Sequence, residues 1–177
     1  MSPLALVSVS DKNNIIPFCK ELVEQFNYKI LSSGGTARHL IEAEIPVVKV
    51  ADFTNSSEIL GGRVKTLHPK IHGGILAKRD DNEHQKDVEA NNLELIDLVV
   101  VNLYPFKKTI EQGSKWEDAI ENIDIGGPSM IRSAAKNHKD VAVLVDPSQY
   151  QEFIEESKKG NLEESYKAKL ALEAFQH

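Results

Sequence analysis

Four short segments concentrate the residue types that handle an anionic ligand. Ser32-Ser33-Gly34-Gly35-Thr36 sets hydroxyls around a glycine pair. Glycines let a backbone come close to a ligand, and hydroxyls with free N–H groups at a helix start bind anions. The segment lacks the GK[ST] ending of a Walker loop and is not a GxGxxG dinucleotide turn. A plain tight turn with a helix cap accounts for it equally well. Ser10-Asp11-Lys12 offers a hydroxyl, a carboxylate and an ammonium. Ser10 or Asp11 could simply cap the next helix, and an isolated lysine is ordinarily a solvated one. Beside a hydroxyl-rich glycine loop, however, Lys12 becomes a counter-charge for phosphate.

Gly61-Gly62-Arg63-Val64-Lys65-Thr66-Leu67-His68-Pro69 places two cations and a hydroxyl just after a double glycine. Such a loop can present Arg63 and Lys65 to an anion or a polarised carbonyl; the alternative is a solvated basic loop. Ile123-Asp124-Ile125-Gly126-Gly127-Pro128 leads into a helix that carries Arg132 and Lys136. These two cations are spaced i, i+4, on the face opposite Met130, Ile131, Ala134 and Ala135. Asp124 near a lysine would tune its proton affinity for acid–base work, or form a structural ion pair.

Other reactive side chains carry less. His68 and His72 are four apart, but Pro69 intervenes, HExxH is absent and no Cys/His cluster supports a zinc site. Cys19 lies among apolar helix positions and is expected in the core. Trp116 is expected to pack rather than stack on a base.

The elements that must position these segments alternate between two periodicities. Strands are predicted at Leu4–Val9, Lys29–Leu31, Pro46–Val50, Ile96–Leu103 and Val141–Val145. Helices are predicted at Asn14–Phe26, Ala37–Ala43, Asp81–Asn91, Lys115–Ile120 and from Gly126 to about Asn137. The chain is helical again after Pro147, with a break at Gly160-Asn161. Residues 51–80 show little periodicity. The run Ile96–Leu103 is nearly all apolar, as for a strand covered on both faces. Alternating strands and helices predict an α/β fold with a doubly wound, mostly parallel sheet and helices on both faces. Ligands of such sheets bind beyond the carboxyl ends of the strands. Three polar clusters lie there: Ser8–Lys12, Ser32–Thr36 and Asn102–Pro105, with Asp146 at a fourth end.

Composition limits the function classes. The chain has 177 residues, 41% hydrophobic and 27% charged, which suits one globular domain. Its 21 basic and 27 acidic residues give a net charge of −6, a poor basis for general nucleic-acid binding. One cysteine permits no intrachain disulfide. No apolar run is long enough for a membrane span, and the N-terminus lacks a signal-peptide pattern. The expected location is cytoplasmic, with neither nucleic acid nor membrane as partner. Residues 150–177 turn rich in Glu and Lys, 151–177 read as a helical tail, and its last piece, roughly Leu162–Phe175, is expected to end with apolar positions exposed.

Taken together, SVSDK, SSGGTA, LGGRVKTLHPKIHGGILA, VVVNLYPF, IDIGGPSMIRSAAKNH and ALEAFQH resemble, in order, the N-terminal half of the bifunctional AICAR transformylase/IMP cyclohydrolase family of purine biosynthesis. The resemblance covers essentially the whole chain. It implies a methylglyoxal-synthase-like fold over residues 1–150 and a tail over 151–177 leading toward a missing transformylase domain. The implied reaction is dehydrating ring closure of FAICAR to IMP, with no metal and no organic cofactor. Ser10, Lys12, Ser33, Gly34, Gly35 and Thr36 match the family's phosphate and ribose contacts. Arg63, Lys65, Thr66, Asn102, Asp124, Ile125 and Gly126 match contacts around the base. Lys65, Tyr104, Asp124 and Lys136 match the catalytic positions. Lys65 would steady the formyl oxygen, while Lys136, polarised by Asp124 and Tyr104, would shuttle protons. The family is a homodimer. Transformylase activity is not expected of this length of chain, which reads as a piece of the longer protein or as a stand-alone cyclohydrolase.

Three rivals remain at this point. A regulatory nucleotide-binding module of the same fold would need the phosphate cradle but not the four catalytic residues together. A methylglyoxal synthase would need a carboxylate base near a small phosphate pocket and leaves GGRVKTLHP without a role. A nucleic-acid binder is opposed by the net charge.

Overall fold

In the computed structural model, residues 2–103 and 115–177 are described. Five strands, β1 (Leu4–Val9), β2 (Lys29–Ser32), β3 (Val47–Lys49), β4 (Leu98–Asn102) and β5 (Ala142–Leu144), form one sheet in the order β3-β2-β1-β4-β5. Every pairing is parallel, with Leu6 beside Leu31 on one side and beside Val99 on the other. Every residue of β4 is buried. Successive side chains of a strand point to opposite faces, so both faces of the sheet are covered. The α/β fold with its parallel sheet is as the alternating periodicities predict.

The helices divide by what they cover. Helix α1 (Ile15–Phe26) buries Ile15, Phe18, Cys19 and Leu22, an i, i+3, i+4, i+7 stripe. Pro17 lies in its first turn, where a missing N–H costs nothing. Helix α2 (Gly34–Glu42) follows β2, and α3 (Val50–Thr54) follows β3. Helices α4 (Pro69–Leu76) and α5 (Asn82–Ala90) precede β4. After β4 come α6 (Trp116–Glu121) and α7 (Gly126–Lys136), which packs on β4 and β5. Helix α8 (Gln149–Lys158) packs beside α1, and α9 (Glu164–Gln176) lies against α7 and β5. Phe18 ties α1 to α8: its ring stacks on Tyr150 at 4.3 Å and meets Phe153 edge-on at 6.0 Å.

Three expectations change. Helix α2 begins at Gly34, not Ala37, so the glycines are its first turn rather than a loop leading to it. The stretch without clear periodicity holds α3, a single 3-10 turn (Leu60–Gly62) and α4. Helix α4 hid because Gly73 and Gly74 interrupt its apolar stripe. A Cβ on Gly73 would lie 2.8 Å from Leu93 Cδ1, and one on Gly74 would strike the Glu94 carbonyl. Its start was marked after all: Pro69 occupies the first turn and His68 Nδ1 accepts the Lys70 N–H at 3.1 Å. Trp116, expected to pack, is 78% exposed at the start of α6.

Cys19 is buried as expected, and burial pushes its thiol up to about 12. It should resist thiol reagents in the folded chain and react only on unfolding. Phe153 is fully buried at the α1–α8 contact. Phe153→Ala should lower stability by about 3–5 kcal/mol, seen as a lower urea midpoint at unchanged slope.

Candidate functional site

From β1 the chain runs outward through β2 and β3 on one side, then returns to place β4 on the other. The β1/β4 junction is therefore the switch point, where the loops after the two strands part and leave a crevice. A cavity of ≈ 400 Å³ lies there, within the ordinary range for small-molecule sites. Five segments that are distant in sequence line it: 8–12, 33–36, 62–66, 101–102 and 121–130.

Ser10, Lys12, Ser33, Gly34, Gly35, Thr36, Arg63, Lys65, Thr66, Asn102, Asp124, Ile125 and Gly126 all line this cavity. Lys136 does not. It sits at the last position of α7, while Gly126 at the first position faces the cavity. A helix of 11 residues spans roughly 15 Å. Asp124 and Lys136 thus occupy opposite ends of one helix, so the expected Asp124–Lys136 pairing is not made within the chain. Arg132 and Lys136 are both exposed, as their spacing predicted, and the Arg132 guanidinium lies over the Phe175 ring at 5.6 Å. Tyr104 lies outside the described residues. Asp146 is absent from the cavity lining; its carboxylate accepts the Ser148 N–H at 2.8 Å.

The hydroxyl residues split into two kinds. Ser32 Oγ donates to the Val7 carbonyl at 2.6 Å, and Thr36 Oγ1 both accepts from and donates to the Val9 backbone at 3.0 Å. These hydroxyls are committed to the sheet. Ser33 caps α2 with extended backbone but makes no side-chain cap bond. The first N–H groups of α2 therefore face the cavity without intrahelical partners. Gly34 takes a φ of +56° there, a conformation glycine adopts freely.

The charges converge on the same wall. Lys65 Nζ lies 3.5 Å from where a Cβ on Gly34 would stand. An ammonium beside the positive end of a helix creates a field that favours an anion between them. Thr66 is buried, and a Cβ on Gly126 would lie 2.7 Å from its hydroxyl, so the 62–66 loop rests on the start of α7. Asp124 Oδ1 accepts the Gly127 N–H at 2.9 Å and so occupies the positive end of α7. The sequence did not reveal Glu121. It pairs with Arg63 across 58 residues, Nη2 to Oε2 at 2.9 Å, and no local pattern links the two.

The two discounted histidines have other engagements: His68 caps α4, and His72 Nδ1 lies 3.1 Å from Ser133 Oγ. Among the described residues no group of three or more His, Cys, Asp or Glu side chains is placed to hold a metal. No helix among them is long and apolar enough to cross a membrane.

Residues 14–129 match the family described as MGS-like domain, and residues 134–177 match the AICARFT/IMPCHase bienzyme family. The bifunctional purine biosynthesis protein PurH of Prochlorococcus marinus strain MIT 9301 is 88% identical over 177 residues, 100% of this chain and 34% of that protein. The PurH of strain NATL1A is 59% identical over 179 aligned positions with the same coverage of 34%. The chain thus spans about a third of the length of these curated relatives. Among solved structures, that of ForH superposes with a TM-score of 0.84 at 34% identity, covering 99% of this chain and 93% of that one.

Two glycines separate binding from folding. A Cβ on Gly35 would meet nothing within 4 Å, so Gly35→Ala should fold with unchanged or slightly higher stability, by up to about 1 kcal/mol. It should nevertheless weaken inorganic phosphate binding if the anion sits on this loop. Gly127→Ala, whose Cβ would strike the Asp124 carboxylate and lie 2.8 Å from Leu103 Cδ2, should instead lose about 1–3 kcal/mol of stability. Thermal melts with and without phosphate check both.

Proposed function

The chain belongs to the MGS-like domain family, and from that premise we propose that it closes the ring of FAICAR to give IMP and water. The observation that carries the reading is the single cavity in which an open helix N-terminus and Lys65 face the start of α7. A nucleotide with one dianionic phosphate suits the first wall. The base would then reach the 124–126 end of the same cavity. The identity to PurH supports the same reaction class. No transformylase activity is proposed for these residues.

The chemistry needs little from any single side chain. The carboxamide nitrogen must reach the formyl carbon of the same molecule, and holding the two groups in contact supplies much of the acceleration. As the N–C bond forms, negative charge grows on the formyl oxygen. A cation there stabilises the transition state more than the ground state. A proton then leaves nitrogen, and another reaches the departing oxygen as water is lost.

Lys65 is the cavity's half-buried ammonium. Its place beside Gly34 suits either the phosphate or a formyl oxygen drawn toward that wall. Asp124, which lines the same cavity at the start of α7, is the carboxylate proposed to take a proton. Lys136 enters this scheme only if a second copy or a rearranged chain brings it to the cavity. Assembly as a homodimer and a cytoplasmic location belong to the same proposal.

Absorbance-followed conversion of FAICAR to IMP, in EDTA and against the uncatalysed background, tests the proposal. Lys65→Ala should lower kcat/KM about 100-fold or more. Acceleration at the parent level in that variant would remove Lys65 from the mechanism. Lys136→Ala with undiminished kcat at low protein concentration would exclude it from the proton path. Tight IMP binding without turnover would favour a regulatory nucleotide-binding module.

A further inference from the structure

We propose that Asn102 is a positioning residue, which fixes the Ser10–Lys12 loop of the nucleotide site. The inference rests on the nucleotide reading above and changes the role expected of this residue. Asn102 ends β4 at the cavity wall, yet it is only 7% exposed. Its Oδ1 accepts the N–H groups of both Ser10 and Asp11 at 2.8 Å, and its Nδ2 donates to the Asp11 carbonyl at 2.9 Å. Two backbone donors converging on one atom identify that atom as the oxygen. Both its lone pairs and one of its two N–H bonds are used, so most of its hydrogen-bonding capacity is spent on this loop.

The reason for the arrangement lies in the sheet. The β1–β4 ladder stops at Val9 beside Asn102, and the β1–β2 ladder stops earlier, at Val7 beside Ser32. Beyond those points the strands separate to form the crevice, and backbone polar groups lose their sheet partners. Thr36 Oγ1 satisfies Val9 from one side, and the Asn102 amide satisfies Ser10 and Asp11 from the other. The loop carrying Ser10 and Lys12 is thus held at its root by side chains of α2 and β4. Lys12 Nζ itself lies 3.5 Å from the Ser10 carbonyl, so its placement depends on the same segment.

Two measurements on the 177-residue chain test this. In the first, amide hydrogen exchange at Ser10 and Asp11 is followed by NMR without ligand. Asn102→Ala should expose both amides, and Asn102→Asp, which keeps an acceptor oxygen, should restore protection. Unchanged protection in Asn102→Ala overturns the proposal. In the second, IMP affinity is measured by calorimetry in a double-mutant cycle with Lys12→Ala. Asn102→Ala should cost about tenfold in affinity in the parent and under about threefold in the Lys12→Ala background. Equal losses in both backgrounds would mean an independent contact and overturn it. Failure of the parent chain to bind IMP, with the exchange effect present, overturns the nucleotide reading and reduces Asn102 to a loop anchor.

Discussion

The end of a parallel ladder leaves N–H and C=O groups with no strand to pair with, and the site is built around that requirement. β1 must part from both neighbours for a cavity to exist between its loop and theirs. Ser32 and Thr36 from one flank of β1 and Asn102 from the other take over the pairing that the strands give up. Their side chains let the backbone diverge at the switch point without leaving buried polar groups unpaired. Among the described residues, the groups on the cavity wall without a side-chain partner include the Ser10 and Ser33 hydroxyls and the Lys65 ammonium, beside the first N–H groups of α2.

The electrostatics are local and run against the charge of the whole chain. A net charge of −6 would repel a phosphate at long range. Over a few ångströms the positive end of α2 and Lys65 dominate, because nearby charges in a partly enclosed site are screened less than those spread over the surface. The wall is also graded. Asp124 caps the start of α7, and Glu121 neutralises Arg63 beside it. The wall thus carries the Lys65 ammonium beside α2 and, near the start of α7, charges partly neutralised by Asp124 and Glu121.

Chain order and the apolar pattern made most of the fold legible. The all-buried run of β4 and the 3.6-residue stripe of α1 are written plainly in the residues, because burial on both faces or along one stripe dictates composition directly. Helix α4 was not legible. Its glycines serve close contacts with Leu93 and Glu94, and a contact between segments leaves no periodicity in either one. Trp116 misled for a related reason: an aromatic residue is usually buried, but exposure is decided by what lies opposite, which a single segment does not contain.

The amino-acid sequence by itself determined the strand–helix alternation, the buried cysteine, the polar clusters at the strand ends and the residues that mark the family. These follow from local chemistry and spacing. Tertiary structure alone decided which of those residues share a cavity and what each side chain has left to give. Thr36 and Asn102 match a binding pattern by type, yet the fold commits their side-chain oxygens to its own backbone. Lys136 was expected among the catalytic residues, yet it ends α7 and lies away from the cavity that the helix begins. Hydrogen-bond capacity and distance along a rigid helix are properties of the folded chain, and residue type does not encode them.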